Sequence, residues 1–122
     1  MKYSFENLEV WQMSRELVKD IYQLTSTFPK DKKFGLPSQL RRASVSVSSN
    51  IAEGSPRWSK KDQSRFYEIA FGSLIEVLNQ LILSTDLEFL QETQLTELRT
   101  KIDQTGRMLN ALYKSTHKPI NS

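Results

Sequence analysis

Through most of its length the chain repeats apolar residues every three or four positions, and no stretch shows the alternation of a half-buried strand. A period of 3.6 collects such positions on one side of an α-helix, whereas a strand needs a period of two. Four segments carry the helical repeat. In the first, from about Leu8 to Thr27, Val10, Met13, Leu17, Ile21, Leu24 and Phe28 form one stripe, with Trp11, Val18 and Tyr22 forming a second beside it. Asn7 is suited to cap this helix, because its side chain can accept a backbone N–H of the first turn. Phe28-Pro29 ends it, since the residue before proline disfavours helical geometry. A loop from Lys30 to Gly35 follows.

The second segment spans about Pro37 to Ala52. Proline fits the first helical position, where a missing N–H costs nothing. Leu36, Leu40, Ala43, Val47 and Ile51 carry its stripe, and the rest is rich in small side chains. Serine and valine are mediocre helix formers, so packing must hold this segment. Gly54-Ser55-Pro56 stops it, with Gly54 able to take a left-handed cap conformation. The third and longest segment, about Lys60 to Thr85, opens on Ser59-Lys60-Lys61-Asp62, a capping box with Asp in place of Glu. Its wide apolar face comprises Phe66, Ile69, Ala70, Ser73, Leu74, Val77, Leu78, Leu81 and Ile82. The fourth, about Thr93 to Ser115, places Leu95, Leu98, Ile102, Leu109 and Leu112 inward, flanked by Met108 and Tyr113. Gly106 lies inside it and needs a close helix contact to offset a cost of about 1 kcal/mol relative to alanine. Four amphipathic helices with mostly short connections predict an all-α, antiparallel up-down-up-down four-helix bundle over residues 1–116, with 117–122 as a flexible C-terminal tail.

Composition removes whole classes of chemistry. The 122 residues include no cysteine, so disulfides, thiolate ligands and thiol nucleophiles are all excluded. The one histidine, His117, falls in the expected tail, which leaves neither a metal set nor a Ser-His-Asp arrangement. No phosphate-cradling glycine motif is present. Glu68 and Glu76, eight apart on helix three, are the remaining carboxylate pair for acid–base work, but exposed helical glutamates usually serve as surface. The expectation is therefore a protein that is not an enzyme, with no cofactor and no metal. No window approaches a membrane span of roughly 20 apolar residues and no signal peptide opens the chain, so a cytoplasmic protein without a membrane partner is expected.

Charge is unevenly spread. Between Lys30 and Arg65 lie nine basic and three acidic residues, a net of +6, while the remainder nets −3. A basic block on a mildly acidic body points to an anionic partner. It contains the least ordinary stretch of the chain, Arg41-Arg42-Ala43-Ser44-Val45-Ser46-Val47-Ser48-Ser49-Asn50-Ile51-Ala52-Glu53-Gly54. Candidate nucleic-acid-binding residues are Arg41, Arg42, Arg57, Lys60, Lys61 and Arg65, which neutralise phosphates, and Trp58, which can stack on a base. Arg42, Ser46, Ser49 and Glu53 share one helix face, with Asn50 between it and the core. Ser46, Ser49, Asn50 and Glu53 also fit polar contacts between tightly packed helices or subunits.

These residues carry a family resemblance. Phe5-Glu6-Asn7-Leu8-Glu9-Val10-Trp11, Phe28-Pro29, Phe34-Gly35-Leu36, Gln39-Leu40-Arg41-Arg42-Ala43 and Ser49-Asn50-Ile51-Ala52-Glu53-Gly54 resemble the bacterial four-helix proteins named after reading frames in intervening sequences of 23S rRNA genes. Arg65-Phe66, Ile69-Ala70, Gly72-Ser73 with Glu76, and Met108-Leu109-Asn110-Ala111-Leu112 extend the likeness over nearly the whole chain. The resemblance implies an antiparallel four-helix fold and a ring-shaped homopentamer. The chain is also similar to the accessory protein of diversity-generating retroelements, a basic pentameric bundle, which implies structured RNA or DNA and a nucleic-acid-processing protein as partners. Independently, two stripes on helix one and the broad face of helix three exceed what one small core needs, which predicts a homo-oligomer. The reading that results is a homo-oligomeric nucleic-acid-binding bundle, RNA above DNA, acting through helices two and three. A protein–protein scaffold without a nucleic-acid role is the alternative.

Overall fold

A computed structural model of the chain describes residues 1–29 and 35–117. A short 3-10 helix (Ser4–Asn7) precedes four α-helices: α1 (Glu9–Thr25), α2 (Leu36–Gly54), α3 (Lys60–Asp86) and α4 (Glu92–Ser115). Most of the loop expected at Lys30–Gly35, with the basic residues Lys30, Lys32 and Lys33, lies outside the described residues, as does the expected tail beyond His117. His117 itself is exposed, and its ring rests against Tyr113 at 4.6 Å.

The helices approach one another in a closed cycle, α1–α2, α2–α3, α3–α4 and α4–α1, with no diagonal pair among the described residues. Side-chain contacts fix their directions. Gln80 Nε2 donates to Gln39 Oε1, Ser46 Oγ meets Ser73 Oγ at 2.8 Å, and Gly54 abuts Phe66. As α2 advances, its partner on α3 recedes by nearly the same number of residues, so the two are antiparallel. Asp20 pairs with Lys101, and Tyr113 Oη donates to Glu68. Gly106 sits over Leu74 and Phe71. An antiparallel order results around the whole bundle.

The core lies between the four helices. Leu17, Ile21, Leu40, Val47, Ile51, Val77, Leu81 and Leu109 are wholly buried, and Leu74 nearly so. Each such side chain contributes roughly 1.5–3 kcal/mol by leaving water. Hydroxyls occur at the same depth without orphaned polarity. Ser14 donates to Trp11 O, Ser44 to Arg41 O, Ser84 to Gln80 O and Thr105 to Lys101 O. Each satisfies its proton on the preceding turn of its own helix. Burial raises the pKa of the Tyr67 phenol above 10.0, because the charged form would be desolvated.

Several sequence expectations are corrected. Asn7 does not cap α1; it closes the 3-10 helix, and the extended Leu8 takes the cap position. Phe5 packs edge-on against Trp11 at 5.0 Å and Gln12 Nε2 donates to Glu6 O, which holds this segment back against the bundle. Gly54 is not left-handed, since Gly35 is the one positive-φ glycine among the described residues. A Cβ at position 54 would lie 2.6 Å from Phe66 Cβ, so glycine is there for close approach. Ile69, expected in the apolar face, is 45% exposed, and Phe71, Ile75 and Leu83 join it outside. Finally, α3 is long and apolar enough to cross a membrane by length and composition, with an 18-residue window of mean hydropathy 1.3. In the fold its inner face packs on α2 and α4 and contributes Tyr67, Ala70, Leu74, Val77 and Leu81 to the core.

Candidate nucleic-acid interface

The basic residues occupy two places. α2 rises about 1.5 Å per residue, so the twelve residues from Arg42 to Gly54 separate the arginine pair from the α2–α3 turn by about 18 Å. At the far end, Arg41 is committed to α1. Its Nε donates to Thr25 Oγ1 at 2.9 Å, and its guanidinium lies 4.6 Å from the centre of the Tyr22 ring. Arg42 is exposed and lines a shallow groove with Tyr22, Pro37 and Val45.

The second place is the turn itself. Ser55 and Pro56 reverse the chain after Gly54, and Ser59 caps α3 by accepting the Asp62 N–H at 3.1 Å. This geometry puts Arg57, Trp58, Lys60 and Lys61 at one end of the bundle, with Arg65 a turn further along α3. All five are exposed, and Trp58 is 102% exposed, in contact with essentially nothing. Arg57 is held in place, its guanidinium 4.4 Å from the Phe66 ring centre and its Nε donating to Glu53 O. Among the described residues, no ion pair engages Arg41, Arg42, Arg57, Lys60, Lys61 or Arg65; the pair found is Lys101–Asp20. The structure therefore brings together Arg57, Trp58, Lys60, Lys61 and Arg65, and leaves Arg41 and Arg42 apart from them.

The Ser/Asn/Glu ridge divides as well. Ser46 joins α2 to α3 through Ser73, and Asn50 Nδ2 donates to Ser46 O and Oγ. Ser49 is half-buried, and Glu53 is exposed beside the turn. Phe5, Ala52, Glu53, Arg57, Trp58 and Asp62 enclose an open cleft of about 680 Å³ there. Sequence reasoning did not place Phe5 and Asp62 in a common cleft with Trp58. Asp62 is local, in the first turn of α3, whereas Phe5 arrives because the 3-10 helix folds back onto α2, a long-range contact with no local sequence signal. Among the described residues, no cluster of His, Cys, Asp and Glu has the form of a metal site.

Fold and site define a class: an all-α four-helix bundle with a cationic, aromatic end. The sequence profile described as 23S rRNA-intervening sequence protein matches residues 6–111, and the chain belongs to that family. A crystal structure from Bacteroides thetaiotaomicron, of a protein of unknown function from the S23 ribosomal protein family, superposes with a TM-score of 0.79 at 23% identity, covering 86% of this chain and 98% of that one. That likeness establishes the fold. Neither description names an enzymatic activity. The chain matches no curated protein.

Proposed function

We propose that the protein is a non-enzymatic, homo-oligomeric nucleic-acid-binding bundle, and that its ligand is RNA with unpaired bases. The observation that carries this reading is the end of the bundle where Arg57, Lys60, Lys61 and Arg65 stand exposed and without ion pairs among the described residues, close along the chain to a fully exposed Trp58. Cations placed this way neutralise phosphates and release counterions, whatever the sequence. An exposed indole beside them offers a stacking surface to a base that is not held in a duplex, which favours RNA loops and single strands over double-stranded DNA.

An exposed apolar surface on α3 supports the homo-oligomeric part of the reading. Ile69, Phe71, Ile75 and Leu83 are each 42–48% exposed along one helix, and Gly72 among them has no atom within 4 Å of where a Cβ would stand. An apolar helix surface with an unfilled gap suits the close approach of another chain. Repetition of a weak cationic end around an assembly multiplies its affinity. The same exposed face favours the second reading, a scaffold for another protein, which a nuclease-resistant pull-down would support.

Retention of a labelled RNA hairpin across a salt series tests the proposal. Binding should weaken steeply with salt, and alanine at Lys60, Lys61 and Arg65 should each lower the logarithmic slope by about 1. No retention at low salt would overturn it.

A further inference from the structure

The cleft beside Trp58 contains more than phosphate-binding groups. Glu53, from the last turn of α2, and Asp62, from the first turn of α3, both line it. Neither carboxylate has a hydrogen-bond or ion-pair partner among the described residues, although the Glu53 carbonyl and the Asp62 N–H are engaged. Both carboxylates are exposed and open to a ligand, and Asp62 also complements the positive N-terminal end of α3. Phe5 and Trp58 supply aromatic surface to the same cleft, and its volume of about 680 Å³ falls in the range of small-ligand sites, roughly 300–1,000 Å³.

A carboxylate reads hydrogen-bond donors. Among the bases, the Watson–Crick edge of guanine alone presents two adjacent donors, N1–H and the N2 amino group, which match the two oxygens of one carboxylate. Adenine and cytosine offer a single amino group there, and uracil a single imino group. A cationic occupant is disfavoured, because Arg57, Lys60, Lys61 and Arg65 outnumber the two acids at this end. A polyanion that inserts one base satisfies both charge patterns: phosphates meet Arg57, which lines the cleft, and the exposed cations of the first turns of α3 beyond it, while the base edge meets the acids.

We propose that this cleft is a guanine-reading subsite, in which an unpaired guanine of an RNA strand stacks on Trp58 and donates N1–H and N2–H to Glu53 or Asp62. It rests on the nucleic-acid reading above and adds base preference to it. The test uses the full chain at low salt and four ten-nucleotide oligouridylates whose central position is G, A, C or U. Anisotropy of a 5′ label reports affinity. Trp58 fluorescence reports stacking, with Trp58→Phe protein subtracting the Trp11 signal.

The guanine strand should bind at least tenfold more tightly than the other three, as expected for one bidentate base contact, and should quench Trp58. The Glu53→Gln/Asp62→Asn double variant should lose that preference while still binding all four strands with the same salt slope. Equal affinities in the native protein, or a preference that survives in the double variant, would overturn the subsite. A chain that retains the RNA hairpin but does not discriminate among the strands loses this inference and keeps the nucleic-acid reading; a chain that retains neither loses both. Tighter binding of free GMP than of the guanine strand would mark a mononucleotide site and overturn the assignment to RNA.

Discussion

Gly54 shows most directly how one residue sets the geometry of the site. A methyl group there would meet Phe66 Cβ at 2.6 Å and Tyr67 Cε1 at 3.1 Å, in the tightest part of the α2–α3 contact. Neither neighbour can swing aside, because one contact is to a Cβ and the other residue is buried. Gly54→Ala should therefore cost about 1–3 kcal/mol, as overpacking does, measured by urea denaturation. It should also disturb the turn that carries Arg57 and Trp58. Tyr67 makes a second prediction at this scale. Its pKa is raised in the fold by burial, so the neutral phenol's contribution is fully present below the unfolded value near pH 10 and is lost as pH rises through the higher folded value. Unfolding free energy measured from pH 9 upward should fall on the alkaline side. Tyr67→Phe should remove that part of the fall.

Among the elements, α3 has the most to do. It caps at Ser59, supplies core residues to both neighbours, and presents Lys60, Lys61 and Arg65 on its first turns. Its far end closes by a left-handed residue, with Phe89 N–H donating to Ser84 O and Glu88 N–H to Thr85 O. The residue at φ 66 is Glu88, where glycine is the usual choice. A side chain in that region costs about 1–2 kcal/mol, so Glu88→Gly should raise stability by up to about that amount in thermal or urea melts. Nothing in the structure explains why glutamate stands there. The helix periods were plain in the sequence, and all four helices end within two residues of where the apolar repeats place them. Caps were less plain. Ser59 accepts the Asp62 N–H as its spacing predicts, but among the described residues the Asp62 carboxylate does not return the bond that a capping box requires. Asn7 does not cap α1, because the packing of Phe5 on Trp11 moves its start.

At the scale of the whole molecule, the exposed flank of α3 is where the proposed self-association can be tested. Ile69 and Leu83 are 45% and 43% exposed, so charging them should leave the core intact. Light scattering of the Ile69→Glu/Leu83→Glu protein should show the mass of one chain, while the native protein shows a multiple of it. Native protein that scatters as one chain at micromolar concentration would remove self-association from the proposed function. Loss of assembly should also weaken RNA retention without altering the contacts each cleft makes, since only the multiplicity of sites is removed.

Spacing of apolar residues determined the four helices and much of the core, because a helix face is a local property written every three or four positions. The absence of cysteine excludes disulfides and thiol chemistry. The tertiary structure alone decided which side chains share the cleft at the α2–α3 turn. Arg41 and Arg42 are adjacent in sequence to the serine ridge but about 18 Å along α2 from the turn. Phe5 is far in sequence from Glu53 and Asp62 and shares one cleft with them. Helix periodicity reports the inward side of each element, whereas the outward neighbours depend on how the chain folds back at its ends.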